Sequence, residues 1–326
     1  MSRIVDIEMG RVMAVTDLHG AYSVYRRYRD LFLDLRARGE ADYLLLCGDL
    51  IHSYGPLETD GSLELMLDLL RLRHTLGHQL IVLLGNHELP HLYGLILSKD
   101  GKKHTPRFEK TMSEAQRAVI LPFLESLPFY ARTRAGVSFA HAGACQSAYT
   151  LAAWEQLVNY SHAAERAKAE EVLARENRES LRAGLAKLNN ESYARIMADN
   201  FGLTDPTHPR YDDFLRGILT QSLSAPLEGL WEALFTQNER GSGLAYSDAL
   251  LNFLTRMSHN YARQNYLVTG HMPVRGGHAV VARRQLRLAS WTHATPNESA
   301  QYLLLDADKP VPSLEALTGN LKSLFE

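Results

Sequence analysis

Five short apolar segments of this chain are each followed directly by side chains of the kinds that bind metal ions. The segments consist mostly of β-branched residues and leucine, which is typical of buried strands. They lie at residues 12–15, 43–47, 80–84, 137–139 and 266–268. The polar runs behind them are Thr16-Asp17-Leu18-His19-Gly20, Gly48-Asp49-Leu50, Gly85-Asn86-His87-Glu88, Ala140-His141-Ala142-Gly143 and Gly270-His271-Met272-Pro273. Because an α/β scaffold gathers its active site at strand ends, the five runs predict one shared site.

Composition narrows the class of protein. The chain has 326 residues, 45% of them hydrophobic, and a formal net charge of −2. This charge gives no reason to expect nucleic acid or an anionic membrane as a partner. The apolar runs are too short to span a bilayer, the N-terminus lacks a secretory signal pattern, and two cysteines cannot form a disulfide framework. We therefore expect a soluble, cytoplasmic protein without a membrane or nucleic-acid partner.

Strand and helix patterns alternate up to about residue 145, which predicts an α/β fold that begins with βαβαβ units. Apolar residues recur at helical spacing within residues 24–35 and again within 63–70. Residues 163–187 predict one very polar helix, a helical pattern resumes over 212–234, and strands return from residue 266. We expect a core of residues 1–145 and 230–326, with a mainly helical insert at 146–229. The insert is either a solvated segment or a lid over the site.

The ligand types at the strand ends suit two metal ions. Asp17 and His19 are one residue apart, so both can face a first ion. The carboxylate of Asp49 can bridge to a second ion, because ions in two-metal sites lie about 3.5–4 Å apart. The second ion would be completed by an amide oxygen and two imidazoles, from Asn86, His141 and His271. This mixed nitrogen and oxygen set favours manganese, with iron or zinc as alternatives.

Taken in order, these runs resemble the motifs of the calcineurin-like metallophosphoesterases, especially their phosphoprotein-phosphatase branch. The resemblance covers about residues 11–145 and 230–305, and it implies a β-sandwich of two mixed sheets flanked by helices. It also implies the same two ligand sets, with Asp49 shared, and makes His87 a non-ligand that protonates the leaving oxygen. The run Asn238-Glu239-Arg240-Gly241 resembles the family's Asn-Asp-Arg-Gly element, whose arginine holds phosphate. Arg240, together with Asn86, is then the expected substrate-binding pair.

The second motif departs from the family pattern. Where phosphoprotein phosphatases have Gly-Asp-x-x-Asp-Arg-Gly, this chain has His52 in place of the aspartate that orients the catalytic histidine, and Ser53 in place of the first phosphate-binding arginine. A neutral imidazole cannot stabilise an imidazolium as a carboxylate does, so we expect altered pH dependence or weaker phosphomonoesterase activity. Arg275, Arg107 and Lys102 are candidates for the missing cation. We expect His52, Ser53 and Glu88 to support the site from behind the ligands.

The expected function is therefore hydrolysis of phosphoesters. Two ions would hold a bridging hydroxide for in-line attack, and an arginine fork and His87 would stabilise and protonate the departing group. The expected enzyme is a Ser/Thr-phosphatase-like phosphomonoesterase acting on a phosphoprotein or a phosphorylated small molecule. Two alternatives stay open: a nucleotide or dinucleoside-polyphosphate hydrolase of the same fold, and a catalytically weak module that binds phosphorylated ligands.

A competing motif overlaps the third run. The stretch His87-Glu88-Leu89-Pro90-His91 fits the His-Glu-x-x-His pattern of zinc metalloproteases. That pattern needs both histidines on one face of a helix, and a proline in a helix interior costs about 3 kcal/mol. We therefore expect His87 in a loop and His91 behind the site or on the surface, and disfavour the protease.

Overall fold

Two β-sheets enclose an apolar layer in this computed structural model, which describes residues 2–99, 101–235 and 245–325. The strands are β1 Ile4–Ile7, β2 Arg11–Val15, β3 Tyr43–Leu46, β4 Leu80–Val82, β5 Ser98–Lys99, β6 Lys102–Lys103, β7 Tyr130–Thr133, β8 Val137–Ala140, β9 Tyr266–Thr269, β10 Val274–Arg275, β11 His278–Val281, β12 Gln285–Leu288, β13 Ala294–Thr295, β14 Gln301–Asp306 and β15 Leu321–Ser323. One sheet has the order β15-β14-β2-β3-β4 and the other β1-β7-β8-β9-β12-β11. Two short pairs, β5-β6 and β10-β13, lie outside these sheets.

Both large sheets are mixed. Strand β2 pairs parallel with β3 and antiparallel with β14, and β8 pairs parallel with β9 and antiparallel with β7. Alternate residues of a strand point to opposite faces, and the central strands are apolar on both. In β2, Val12 and Ala14 pack between the sheets, whereas Met13 and Val15 pack on the other side. The predicted α/β sandwich of two mixed sheets with flanking helices is confirmed.

Helices cover the outer faces of the sheets. Their bounds are α1 Tyr22–Ala37, α2 Ser62–Leu76, α3 Leu89–Tyr93, α4 His104–Glu109, α5 Glu114–Ser126, α6 Leu151–Val158, α7 His162–Arg175, α8 Arg178–Asn189, α9 Tyr193–Phe201, α10 Asp213–Leu223, α11 Ala225–Phe235, α12 Tyr246–Met257 and α13 Leu314–Thr318. In α1, Val24, Tyr28 and Leu35 are buried, as their spacing predicts. No helix in the described ranges combines the length and apolar character needed to cross a membrane.

The helices between residues 146 and 229 do not pack as one unit. Helices α7 to α10 contribute to an apolar cluster of their own, which includes Leu173, Tyr193 and Phe214. Helices α6 and α11 instead pack on the main core through Trp154 and Leu230. The boundaries of the insert, and its role as a lid, stay predictions.

The prediction of a single helix over residues 163–187 is wrong, because the segment forms two helices, α7 and α8, with a short non-helical stretch between them. Asn177 caps α8, and its Oδ1 accepts a hydrogen bond from the backbone N–H of Ser180 at 3.0 Å. The helical pattern over 212–234 is likewise divided at Ser224, whose hydroxyl accepts from the N–H of Leu227 at 2.9 Å. Capping side chains supply partners to the free N–H groups of a helix start, so they set boundaries that apolar periodicity does not show.

Candidate functional site

All five polar runs lie at one edge of the sandwich, because each follows the carboxyl end of a strand. Strands β2, β3 and β4 run parallel, as do β8 and β9, so their ends meet at the same edge. The side chains that they bring together are Asp17, His19, Asp49, Asn86, His141 and His271.

The backbone bends sharply at these residues. Asp17, His19, Asp49 and His271 have φ angles of 46°, 43°, 52° and 68°. Residues other than glycine rarely adopt positive φ, and such conformations concentrate at functional sites. Each bend turns a side chain from the direction of its strand into the common centre.

Glycines beside the ligands allow the loops to approach one another. A Cβ added to Gly270 would lie 1.8 Å from Asp17 Oδ2, and one added to Gly85 would lie 2.5 Å from Asp49 Oδ1. Neither position can accept a side chain without moving a carboxylate. The glycines of the sequence runs are therefore part of the site's construction.

One cluster is formed by Asp49, Asn86, His141 and His271. Nδ1 of His141 donates to the Cys47 carbonyl at 2.9 Å, which leaves a lone pair on Nε2. This Nε2 lies 2.7 Å from Asn86 Oδ1, 3.1 Å from His271 Nδ1 and 3.5 Å from Asp49 Oδ1. Such a set of facing lone pairs is suited to holding a cation. Reversing the Asn86 amide would instead direct its nitrogen at Asp49 Oδ2, 3.1 Å away.

A second cluster contains a residue that the sequence analysis missed, His293. Its Nδ1 lies 3.2 Å from Asp17 Oδ1, and Asp17, His19 and His293 can offer ligand atoms that all lie within 4.8 Å of one another. Asp17 Oδ2, His19 Nε2 and His293 Nδ1 are buried and have no hydrogen-bond partner among the described residues. The signal that could have revealed His293 is its place shortly after the strand β12.

The two clusters adjoin at Asp49. Its Oδ2 lies 3.5 Å from His19 Nε2, while its Oδ1 lies 3.5 Å from His141 Nε2. His87 also approaches, with Nε2 at 4.0 Å from Asp49 Oδ2, so its position alone permits a ligand role as well. The donors present are carboxylates, imidazoles and one amide, a set that fits divalent transition metals.

Buried charge within these clusters calls for a compensating cation. Burial raises the pKa of Asp49 well above its usual value, and the nearby Glu88 carboxylate adds to the rise. Burial acts in the same direction on Asp17, but it is outweighed, chiefly by His293, so the pKa of Asp17 is lowered. Burial lowers the pKa of His19 well below its usual value. Neutral imidazole is the form that binds metal, and a cation beside Asp49 would favour its ionised form.

Glu88 lies behind the ligand side chains and joins two of their loops. Its buried carboxylate accepts hydrogen bonds from four backbone N–H groups, those of Gly85, Asp49, Leu50 and Ile51, at 2.8–3.3 Å. It thereby ties the end of β3 to the end of β4. Glu88 thus holds the backbone at Asp49 in place, although its own side chain is not part of either cluster.

His52 contacts His87 directly. The two Nδ1 atoms lie 3.0 Å apart, and His52 Nε2 lies 2.8 Å from His91 Nε2. Two places were predicted for His91, behind the site or on the surface; the side chain is buried next to His52, which agrees with the first. His87 precedes α3 and Pro90 lies in the first turn of that helix, so the two histidines do not share a helical face. Ser53 accepts a hydrogen bond from the N–H of Gly55 within its own loop.

Cationic side chains surround the mouth of the site at Tyr54. The Tyr54 hydroxyl lies 3.5 Å from His87 Nε2 and accepts a hydrogen bond from Lys99 Nζ at 3.2 Å. Lys102 donates to the Tyr54 carbonyl at 2.6 Å, and Arg107 to that of Gly55 at 2.9 Å. The sequence analysis did not name Lys99.

Two other arginines were predicted to bind the phosphate or to replace the missing cation, Arg275 and Arg240. Arg275 is exposed on β10. Arg240, with the rest of its Asn238-Glu239-Arg240-Gly241 run, lies outside the described residues.

The chain is similar in sequence to one known enzyme and in structure to another. A bis(5'-nucleosyl)-tetraphosphatase (symmetrical) of Nitrosococcus oceani is 28% identical over 133 residues, which are 40% of this chain. The match spans 43% of the relative, less than half of its length. Among solved structures, a protein serine/threonine phosphatase of Saccharomyces cerevisiae superimposes with a TM-score of 0.52 at 14% identity. That alignment covers 93% of this chain and 76% of the yeast one, and it shows a shared fold.

The family model described as calcineurin-like phosphoesterase matches residues 10–204, more than half of the chain. This range contains four of the five strand-end runs, and the fold brings the fifth, with His271, to the same edge. The chain belongs to the calcineurin-like phosphoesterase family.

Proposed function

We propose that this chain is a metal-dependent phosphomonoesterase with two adjacent ion sites. The observation that carries the proposal is the meeting of two clusters of buried ligand atoms at the shared carboxylate of Asp49. Asp17, His19 and Asp49, joined by His293, would hold the first ion. The second would be held by Asp49, Asn86, His141 and His271. Manganese is the favoured metal, with iron or zinc as alternatives.

The chain's own residues would bind and protonate the substrate. Bound divalent ions supply Lewis-acid stabilisation of the phosphoryl charge and lower the pKa of water. His87 directs Nε2 toward the clusters, where it can give a proton to the leaving oxygen. An anionic phosphate beside this nitrogen favours the protonated imidazole that the step requires. Asn86 would also contact the phosphate.

Arg240 is proposed as the phosphate clamp on its sequence resemblance alone. A guanidinium can make paired hydrogen bonds to phosphoryl oxygens. At the described mouth of the site, Lys99 is a further candidate, because its ammonium group reaches the Tyr54 hydroxyl next to His87.

Substitution of the shared carboxylate tests the proposal. The protein is purified metal-free, loaded with Mn²⁺, and assayed with p-nitrophenyl phosphate alongside measurement of bound metal. Asp49→Asn should lose most bound metal and reduce turnover by roughly 10³-fold or more, whereas Asp205→Asn, an exposed change in a distant loop, should alter neither. His293→Ala should weaken metal binding about 10- to 100-fold, and His278→Ala should not. Full metal occupancy without turnover of any phosphoester would favour the phospholigand-binding module instead.

Hydrolysis of dinucleoside polyphosphates is a second candidate. The Nitrosococcus oceani relative carries that activity in its name, and Lys99 and Lys102 place two exposed ammonium groups at the mouth of the site, where further phosphates could lie. The test compares diadenosine tetraphosphate, a phosphoserine peptide and p-nitrophenyl phosphate. For a polyphosphate enzyme, Lys99→Gln with Lys102→Gln should raise KM for diadenosine tetraphosphate about tenfold more than it raises KM for p-nitrophenyl phosphate. Lys187→Gln on α8 is the matched control.

A further inference from the structure

A chain of hydrogen-bonding side chains runs inward from His87 to a carboxylate. His87 Nδ1 lies 3.0 Å from His52 Nδ1, His52 Nε2 lies 2.8 Å from His91 Nε2, and His91 Nδ1 lies 2.6 Å from Glu109 Oε1. All four side chains are buried. The chain crosses from the β4–α3 loop to the end of α4.

Glu109 fixes the direction of every hydrogen bond in this chain. A carboxylate can only accept, so His91 Nδ1 must donate to it. A neutral imidazole has one N–H and one lone pair, and burial keeps the pKa of His91 at about 3 and that of His52 well below its usual value. His91 Nε2 therefore accepts from His52 Nε2, and His52 Nδ1 accepts from His87 Nδ1. The free lone pair of His87 is left on Nε2, which faces the metal clusters.

Glu109 is equipped to carry a buried negative charge. Its Oε2 accepts hydrogen bonds from the guanidinium of Arg117 and, at 3.1 Å, from that of Arg210. Two cationic donors offset the cost of burying a carboxylate. The other carboxylate oxygen, Oε1, contacts only His91 among the described residues.

We propose that Glu109 is a positioning residue that acts through His91 and His52 to hold His87 with its Nδ1 protonated and its Nε2 toward the substrate. This inference rests on the proposed phosphomonoesterase function. As a hydroxide oxygen bonds to phosphorus, the bond from phosphorus to the leaving oxygen breaks; its electron pair stays on that oxygen, which takes the proton from Nε2 of the His87 imidazolium. The histidine that remains is neutral and protonated on Nδ1, the form that the chain of hydrogen bonds selects. Glu109 thus takes the role of the aspartate that His52 replaces, and it acts on His87 through the rings of His91 and His52.

The choice of leaving group separates this role from a structural one. p-Nitrophenolate leaves without much help from an acid, whereas an alkoxide needs a proton. His91→Phe interrupts the chain and leaves the Glu109–Arg117 pair in place. In the metal-loaded enzyme it should reduce kcat for glycerol phosphate about 10²-fold and change kcat for p-nitrophenyl phosphate less than about threefold.

His104→Phe is the matched control. His104 is buried against both His52 and His87, with ring centres 5.5 Å from each, but its nitrogens have no hydrogen-bond partner in the described part of the chain. The variant should leave both rates within about threefold of the parent. Adding His52→Asp to His91→Phe places a carboxylate directly beside His87 Nδ1 and should restore most of the glycerol phosphate activity. His91→Gln replaces His91→Phe if the latter fails to fold.

The tautomers are measured independently of activity. Nitrogen-15 NMR of histidine-labelled, zinc-loaded protein should show His87 protonated on Nδ1, with that preference lost in His91→Phe. Equal losses with both substrates, no loss with either, or a parent His87 protonated on Nε2 would overturn the inference. If the parent enzyme hydrolyses no phosphoester, the proposed function fails, and the tautomer alone decides: Nδ1–H supports the inference and Nε2–H overturns it.

Discussion

At the scale of single residues, the site depends on close approaches that no larger side chain permits. Gly270→Ala would bring a Cβ to within 1.8 Å of Asp17 Oδ2, and the carboxylate cannot yield without leaving its cluster. We expect a loss of about 1–3 kcal/mol in the free energy of unfolding. Because a displacement of about 1 Å at a catalytic group costs roughly 10²-fold, turnover should fall by about that factor. Denaturant unfolding and steady-state kinetics measure the two effects.

Gly184→Ala is the corresponding control. Gly184 lies within α8, and an added Cβ there would meet nothing within 4 Å. Alanine favours a helix over glycine by up to about 1 kcal/mol, so this variant should be slightly more stable and equally active. If Gly270→Ala is fully active and binds metal normally, the close approach of Gly270 to Asp17 is not needed to position that carboxylate.

Sequence reasoning found the residues that follow strands, because topology carries strand ends to one edge whatever the loops do. Asp17, Asp49 and His141 lie together at that edge in the structure, and their role as metal ligands stays a prediction. It missed His293 and the chain from His52 to Glu109, since those contacts join segments far apart in sequence. Nothing in the residues before Glu109 marks it as the partner of a histidine 18 positions earlier.

At the scale of elements, Glu88 ties together the ends of two paired strands, β3 and β4. Glu88→Gln would replace a carboxylate that accepts from four backbone N–H groups with an amide that has only one acceptor atom. Leaving buried donors unpaired costs about 1–3 kcal/mol. We expect lower stability by at least that amount and weaker Mn²⁺ binding, measured by denaturation and calorimetry. Glu155→Gln, at an exposed position on α6, should change neither, and an unaltered Glu88→Gln protein would contradict the supporting role.

The elements themselves were predictable where apolar periodicity was strong, as for α1 and the strands β2 and β3. The short hairpin β5–β6, which carries Lys99 and Lys102, has no such pattern because all four of its strand residues are exposed. Helix boundaries at Asn177 and Ser224 depend on single capping side chains. Periodicity indicates which face of a helix is buried, whereas these caps determine where the helix begins.

At the scale of the whole molecule, the fold holds many histidines in its interior, and not all of them belong to the site. Burial lowers the pKa of His91 to about 3 and that of His162 to about 2, with the neighbouring Arg3 and Arg166 adding to the shift at His162. His162 packs in α7 and contacts the Tyr93 hydroxyl at 2.8 Å. The folded chain therefore holds buried neutral imidazoles both behind the site, at His91, and in α7, at His162.

The burial of these rings predicts that the metal-free protein is labile to acid. Unfolded histidines bind protons near pH 6.5, whereas His91 and His162 in the folded chain stay neutral to about pH 3. Unfolding at pH 5 thus takes up protons, and stability falls as the pH falls below about 6.5. These two residues alone contribute a slope of about 2.7 kcal/mol per pH unit. His162→Asn should reduce the measured slope by about 1.4 kcal/mol per unit, whereas His74→Asn, at an exposed position on α2, should leave it unchanged. Equal slopes in the parent and His162→Asn between pH 4 and 6 would show that the buried ring does not resist protonation.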